Sequence, residues 1–223
     1  MTALEYGQRP AGGEPAGLLV LHHGRGSDER DLLALADALD PARRLLLITP
    51  RAPLRLPGSP GYHWYLVPRV GHPDPVTFDA AYRALASFHD QLWTTTGISS
   101  ARTVLGGFSM GSVMSYALGL AADRPAPAAI LAFSGFVPIV EGWKPCLGDR
   151  RGTRVFIAHG RQDPVIEVGF ARRARTLLEG GGLGVDYHES DAGHYVDPSV
   201  LPAAARWLAS AVVAGSGGLP AAG

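Results

Sequence analysis

Apolar residues along the chain fall alternately into short unbroken runs and into stripes spaced three and four apart. Leu18 to His23 is a run of the first kind, and such a run bounded by turn residues reads as a buried strand. From Asp28 to Asp40 the spacing changes, with Leu32, Leu35, Ala36 and Leu39 on one side, which predicts an amphipathic helix. The alternation continues with a strand over Arg44–Pro50 and a helix over Phe78–Trp93, in which Ala81, Leu85, Phe88 and Leu92 stay in register. A strand ending at Val104 and Leu105 is followed by a stripe of Met110, Val113, Met114, Ala117, Leu118 and Ala121. Further strands are expected over Ala128–Phe136 and Thr153–Gly160, an edge-type strand over Gly184–Glu189, and helices over Gly169–Leu178 and Pro198–Val213. Strands that alternate with helices in this way predict an α/β fold, a mostly parallel doubly wound sheet with helices on both faces.

Two interruptions shape the expectation further. Arg51 to Val76 carries Pro53, Pro57, Pro60, Pro68, Pro73 and Pro75, which excludes regular helix or central strand. A loop of this length in a compact domain usually carries function, and "GYHWY" within it would be costly to leave in water. An ordered pocket wall is expected, with Tyr65 among its substrate-contacting residues. The segment from Phe136 to Gly152 is too short for a lid domain, so an open site is expected. Residues 1–213 are expected to form a single domain, and 214–223 a flexible C-terminal tail by composition.

The abrupt change of period at Gly-Phe-Ser-Met-Gly marks the most informative corner of the chain. With 29 glycines in 223 residues, the bare Gly-x-Ser-x-Gly pattern says little. Its placement between a buried strand and a helix says more, because Gly107 and Gly111 remove the Cβ atoms where the two elements crowd each other. Ser109 is then held at the apex with its hydroxyl exposed.

Composition narrows the function classes. Twenty basic residues balance twenty acidic ones, so neither a nucleic-acid footprint nor a membrane-surface patch is indicated. The amino terminus lacks a secretory pattern, and no apolar run approaches a membrane span; a cytoplasmic protein without stable membrane association, monomer or homodimer, is expected. One cysteine, Cys146, excludes an internal disulfide and a multi-thiolate metal site. The eight histidines form no chelating pair, so no metal is assigned. "GRGSDE" matches neither a phosphate loop nor the dinucleotide fingerprint, and no cofactor is expected.

A serine hydroxyl needs a neutral imidazole to take its proton and a carboxylate to orient that imidazole. On a sheet of this kind the partners follow in the order Ser, Asp or Glu, His. Asp163, just past a strand in "AHGRQDPV", and His194, in the glycine-containing loop "DAGHYVDPS", both sit where strand carboxyl ends gather ligands. His159 precedes Asp163 and His188 lies within a strand pattern, so neither fits the loop role of the base; Glu167 begins a helix and Asp191 shares the loop of His194, so Asp163 is preferred as the acid. Acyl transfer also generates an oxyanion that needs preorganised N–H donors. The Met110 amide follows the nucleophile, and the Arg25 amide is the second candidate, in a loop that Gly24 and Gly26 allow to fold close to Ser109. Gly24 is accordingly counted among the substrate-contacting residues. Ser27 or Asp28 is expected to cap the helix after this loop, and His23 to pin it through a hydrogen bond.

The blocks "LHHGRGSDERDLLALADAL", "ITPRAP", "GYHWY", "GGFSMG", "HGRQDPVI" and "AGH", in order and at familiar spacing over nearly the whole chain, resemble the α/β-hydrolase carboxylesterase/phospholipase group that includes acyl-protein thioesterases, especially small bacterial members. The resemblance implies a metal-free serine esterase acting on a small-molecule ester, with Ser109, Asp163 and His194 as triad and the Arg25 and Met110 amides as oxyanion hole. It also implies that Trp64 lines the pocket. The chain departs from the group at Met110, often Gln, and at Glu167, often Pro. Thioester or peptide hydrolysis on the same triad, and a non-catalytic ligand-binding module, are the alternative functions.

Overall fold

The computed structural model describes residues 4–215. The chain runs through β1 (Tyr6–Arg9), β2 (Gly17–His22), α1 (Leu33–Leu39), β3 (Leu45–Pro50), β4 (Leu54–Arg55), β5 (Tyr62–His63) and α2 (Pro75–Thr96). It continues through β6 (Thr103–Phe108), α3 (Met110–Gly119), β7 (Ala129–Phe133), β8 (Arg154–Gly160), α4 (Gly169–Gly180), β9 (Gly184–Ser190) and α5 (Leu201–Gly215). Seven strands form one sheet in the order β1-β3-β2-β6-β7-β8-β9. Only the edge strand β1 is antiparallel, paired with β3 from Tyr6 opposite Pro50 to Arg9 opposite Leu47.

Period-two alternation explains how the sheet is covered on both sides. In β2, Leu18 and Val20 pack with α2 and α3 residues such as Leu85 and Val113. Leu19 and Leu21 point the other way, onto Leu39 of α1 and Leu208 of α5. At the far side of the sheet, Ile130, Val155 and Ile157 meet Ala171 and Leu178 of α4. Leu18 to Leu21 are at most 1% exposed, and burying each such side chain contributes about 2 kcal/mol before the entropy cost. From β2 the chain first moves to β3 on one side, then crosses through α2 to β6 on the other. That reversal opens a crevice at the carboxyl ends of β2 and β6, and the candidate site lies there.

Element boundaries differ from the sequence expectation in physically instructive ways. Helix α1 starts at Leu33, not Asp28, because Asp28 Oδ1 accepts the Arg30 amide at 2.8 Å and holds that stretch as a turn. The expected cap by Ser27 or Asp28 does not form, and Leu32 at the helix start makes no side-chain cap bond. Helix α2 begins inside the proline-rich stretch: Asp74 caps it by accepting the Thr77 amide at 2.9 Å, Pro75 fills the first turn, and Gly97 at φ 68° closes it. Proline is well tolerated there because the first-turn amide has no helical acceptor. Within the remainder of that stretch, Leu54 and Arg55 pair with His63 and Tyr62 as a small hairpin. Helix α5 reaches Gly215, so residues 214 and 215 of the expected tail belong to it, and the rest of the tail lies outside the described residues. No described helix is long and apolar enough to cross a membrane.

Candidate active site

Strand β6 delivers the chain into a corner that only a crowded turn can make. Ser109 adopts φ 54° and ψ −120°, a region that costs a non-glycine residue energy and that the surroundings must enforce. Its amide donates to the Phe133 carbonyl at 2.9 Å. Below it, Ser112 Oγ lies 2.5 Å from the Gly107 carbonyl and receives the Phe133 amide at 3.0 Å, tying β6, α3 and β7 together. A Cβ on Gly107 would lie 2.6 Å from the His22 carbonyl, and one on Gly111 would collide with the same atom. The glycines flanking the serine are therefore set by the backbone of β2.

The three sequence-predicted side chains come together. His194 Nε2 lies 2.9 Å from Ser109 Oγ, and its Nδ1 lies 2.7 Å from Asp163 Oδ2. Because the carboxylate accepts, Nδ1 carries the proton and Nε2 presents its lone pair to the serine hydroxyl. Asp163 has a fully buried side chain, and its Oδ1 accepts the amides of Val165 and Ile166, both at 2.8 Å. That cradle fixes the orientation of the carboxylate. Gly160 at the end of β8 lets the histidine loop approach closely, since a Cβ there would meet the Gly193 carbonyl at 2.5 Å. The Gln162 amide bonds the Ala192 carbonyl at 3.0 Å, joining the acid loop to the histidine loop. Phe108 backs the imidazole at 4.9 Å between ring centroids. Asp191, the rival acid, is engaged at the surface by Arg161 at 2.7 Å.

The loop after β2 is pinned from several sides. His23 Nδ1 donates to the Gly24 carbonyl at 2.8 Å, while Nε2 accepts the Ala52 amide at 3.0 Å. Both ring nitrogens are committed to a neutral imidazole, and burial pulls its pKa below the usual value, as the structural reading of His23 requires. The Gly26 amide donates to the Tyr62 carbonyl at 2.7 Å, and the Tyr62 amide to the Ser27 carbonyl at 2.8 Å, joining this loop to the hairpin. Arg25 and Met110 both border a cavity of about 420 Å³ with Ser109 and His194; its apolar wall is Tyr65, Val67, Val70, Phe136, Val165 and Ile166.

Two residues expected to contact substrate lie outside the cavity lining. Trp64 is fully buried and outside the cavity lining: its indole N–H donates to the His23 carbonyl at 2.9 Å and its amide points to Met110 Sδ at 3.2 Å. It supports the loop from behind. Gly24 also stays outside the lining, because its Cα faces the Phe108 ring, which a Cβ would meet at 3.1 Å. Tyr65 lines the cavity. The residue that sequence reasoning undervalued is His159, whose Nε2 lies 2.7 Å from the Ile166 carbonyl and 3.3 Å from Asp163 Oδ2. Only its spacing of four from Asp163 hinted at it.

A parallel sheet with these side chains gathered at the carboxyl ends of its strands defines an α/β-hydrolase. The chain belongs to the phospholipase/carboxylesterase family, whose model matches residues 9–211, and is thus a hydrolase of the carboxylesterase family. The crystal structure of esterase PE8 is similar at a TM-score of 0.80 and 31% identity, over 94% of this chain and 99% of that one. MhqD of Bacillus subtilis is 28% identical over 196 residues, 88% of this chain and 94% of the relative. Acyl-protein thioesterase 1 of Neurospora crassa is 33% identical over 107 residues, 46% of this chain and 43% of the relative.

Proposed function

We propose that the protein is a serine esterase that hydrolyses small carboxylic esters of short to medium acyl chain through an acyl-enzyme. The observation that carries this reading is the continuous line from Asp163 Oδ2 through the His194 ring to Ser109 Oγ, at 2.7 and 2.9 Å. Ser109 Oγ attacks the ester carbonyl while its proton passes to His194 Nε2, and the carbonyl oxygen becomes an oxyanion. Arg25 and Met110 border the cavity beside Ser109, and their amides serve in this reading as the donors for that charge. Collapse breaks the bond to the alcohol, which leaves with the proton from His194. Water then repeats the sequence and releases the acid. Asp163 keeps the imidazole in the Nδ1–H tautomer and stabilises the imidazolium formed at each step.

The cavity's apolar wall suits an acyl chain, and its volume of about 420 Å³ falls in the range of small-molecule sites. The reading includes a single catalytic domain working in the cytoplasm without metal or cofactor. A fluorophosphonate probe should label Ser109, and short p-nitrophenyl esters should be hydrolysed. A folded wild-type protein that is neither labelled nor active on these esters would end the proposal.

A thioester as the scissile bond is the second reading, favoured by the similarity to a fungal acyl-protein thioesterase. Rates on an ester, a thioester and an amide with one common acyl group separate the two.

A further inference from the structure

His159 lies in β8, four positions before Asp163, and is 3% exposed. It reaches the carboxylate oxygen that His194 uses: its Nε2 is 3.3 Å from Asp163 Oδ2, where His194 Nδ1 stands at 2.7 Å. The same Nε2 is 2.7 Å from the Ile166 carbonyl. A carbonyl only accepts, so Nε2 carries the proton and the bare nitrogen is Nδ1. Among the described residues Nδ1 is buried without a hydrogen-bond partner. An apolar side chain would fill this strand position without that cost, so the edge that favours a histidine here is the one turned to Ile166 and Asp163.

Ile166 closes the arrangement. Its amide donates to Asp163 Oδ1 at 2.8 Å, while its carbonyl accepts from His159. The turn that cradles one carboxylate oxygen is thus clamped by the ring that faces the other. Building on the serine-esterase reading, we infer that His159 is a positioning residue: it holds the 163–166 turn so that Asp163 Oδ2 stays aligned with the His194 Nδ1–H. Without the clamp the turn relaxes, the contact to His194 lengthens, and the imidazolium loses part of its stabilisation. The ionisable groups facing His159 are Asp163, His194 and Glu189, the last its register partner on β9. Burial lowers the pKa of His159, so it acts as a neutral donor.

The test compares His159→Leu with His159→Gln, whose carboxamide N–H can still reach the Ile166 carbonyl. In the leucine variant kcat on p-nitrophenyl acetate is expected to fall by roughly 10- to 100-fold with KM unchanged, the scale of a catalytic group displaced by a fraction of its length. The acidic limb of its pH profile should move to lower pH, and the low-field proton resonance of His194 Nδ1–H should move upfield. Glutamine should restore most of the rate, the limb and the resonance. A folded leucine variant with wild-type kcat and an unmoved resonance would overturn the inference, and so would a glutamine variant no better than leucine. If the leucine variant does not fold, His159→Asn, which keeps an amide but shortens its reach, takes its place with the same two outcomes. The resonance is read without turnover, so a failure of the serine mechanism, seen as Ser109→Ala retaining full activity, remains distinguishable from a failure of the clamp.

Discussion

Gly111 lies so close to the His22 carbonyl that any side-chain carbon at position 111 would overlap it. The contact crosses from the first turn of α3 to the end of β2 and fixes how near Ser109 comes to the loop carrying Arg25. Gly111→Ala is expected to destabilise the fold by more than about 3 kcal/mol, since neither backbone can yield without displacing a buried strand. Chemical denaturation measures this directly. Ser115→Ala, one turn further along α3, should be milder, because it removes a hydroxyl without forcing the backbones apart.

The buried carboxylate of Asp163 holds His194 in one tautomer. Asp163→Asn should preserve the fold while lowering kcat by about 10⁴-fold, with little change in KM, because an amide can stabilise the wrong tautomer and cannot stabilise the imidazolium. Ser109→Ala should lower kcat by about 10⁶-fold. Steady-state kinetics on p-nitrophenyl acetate, with calorimetry as a folding control, checks both.

Acid should weaken the fold through histidines remote from the chemistry. Burial, helped by the charge of Arg124, holds His89 at about 3, and burial also pulls His22 down; their Nε2 atoms lie 3.4 Å apart. Between the ordinary value near 6.5 and the folded value, the unfolded chain takes up protons that the folded one refuses. Stability therefore rises with pH across that window and is complete above it, at up to about 1.4 kcal/mol per pH unit for each such group. Melting temperatures measured from pH 7 to pH 5 should fall in the wild type and fall less steeply in His89→Phe. Equal slopes would show that His89 does not contribute.

Gly71 shapes the cavity wall from outside. It adopts φ 86°, and a Cβ there would lie 2.6 Å from the Phe170 ring; Phe170 in turn packs on Phe136 at 5.2 Å between centroids. Gly71→Ala should displace the neighbouring Val70 and raise KM several-fold for hexanoate esters while leaving acetate nearly unaffected. A chain-length series on the variant and the wild type tests this.

The fold class and the convergence of Ser109, Asp163 and His194 were legible from sequence for one physical reason. Parallel strands bring their carboxyl ends to one edge, so residues just beyond three strand runs must meet there, however far apart they lie in the chain. Position within a turn was less legible. Pro75 reads as a breaker until Asp74 is seen to cap the helix that it begins, and Asp28 reads as a helix start although its side chain bonds the Arg30 amide instead. The place of Trp64 is not legible in sequence, because an aromatic in a loop beside a site can face the cavity or brace it, and the choice depends on where its N–H finds an acceptor. His159 precedes Asp163 and so falls outside the order expected of a base, and nothing in a strand pattern indicates which partner a buried ring nitrogen finds.

The main-chain bonds of Tyr62 to Gly26 and Ser27 make the hairpin and the Arg25 loop a single mechanical body. A change in the hairpin, which itself lies outside the cavity lining, would therefore be transmitted to Arg25 at the cavity's edge, so substitutions distant from Ser109 should still alter the shape of the space beside it unless a compensating change re-anchors the loop.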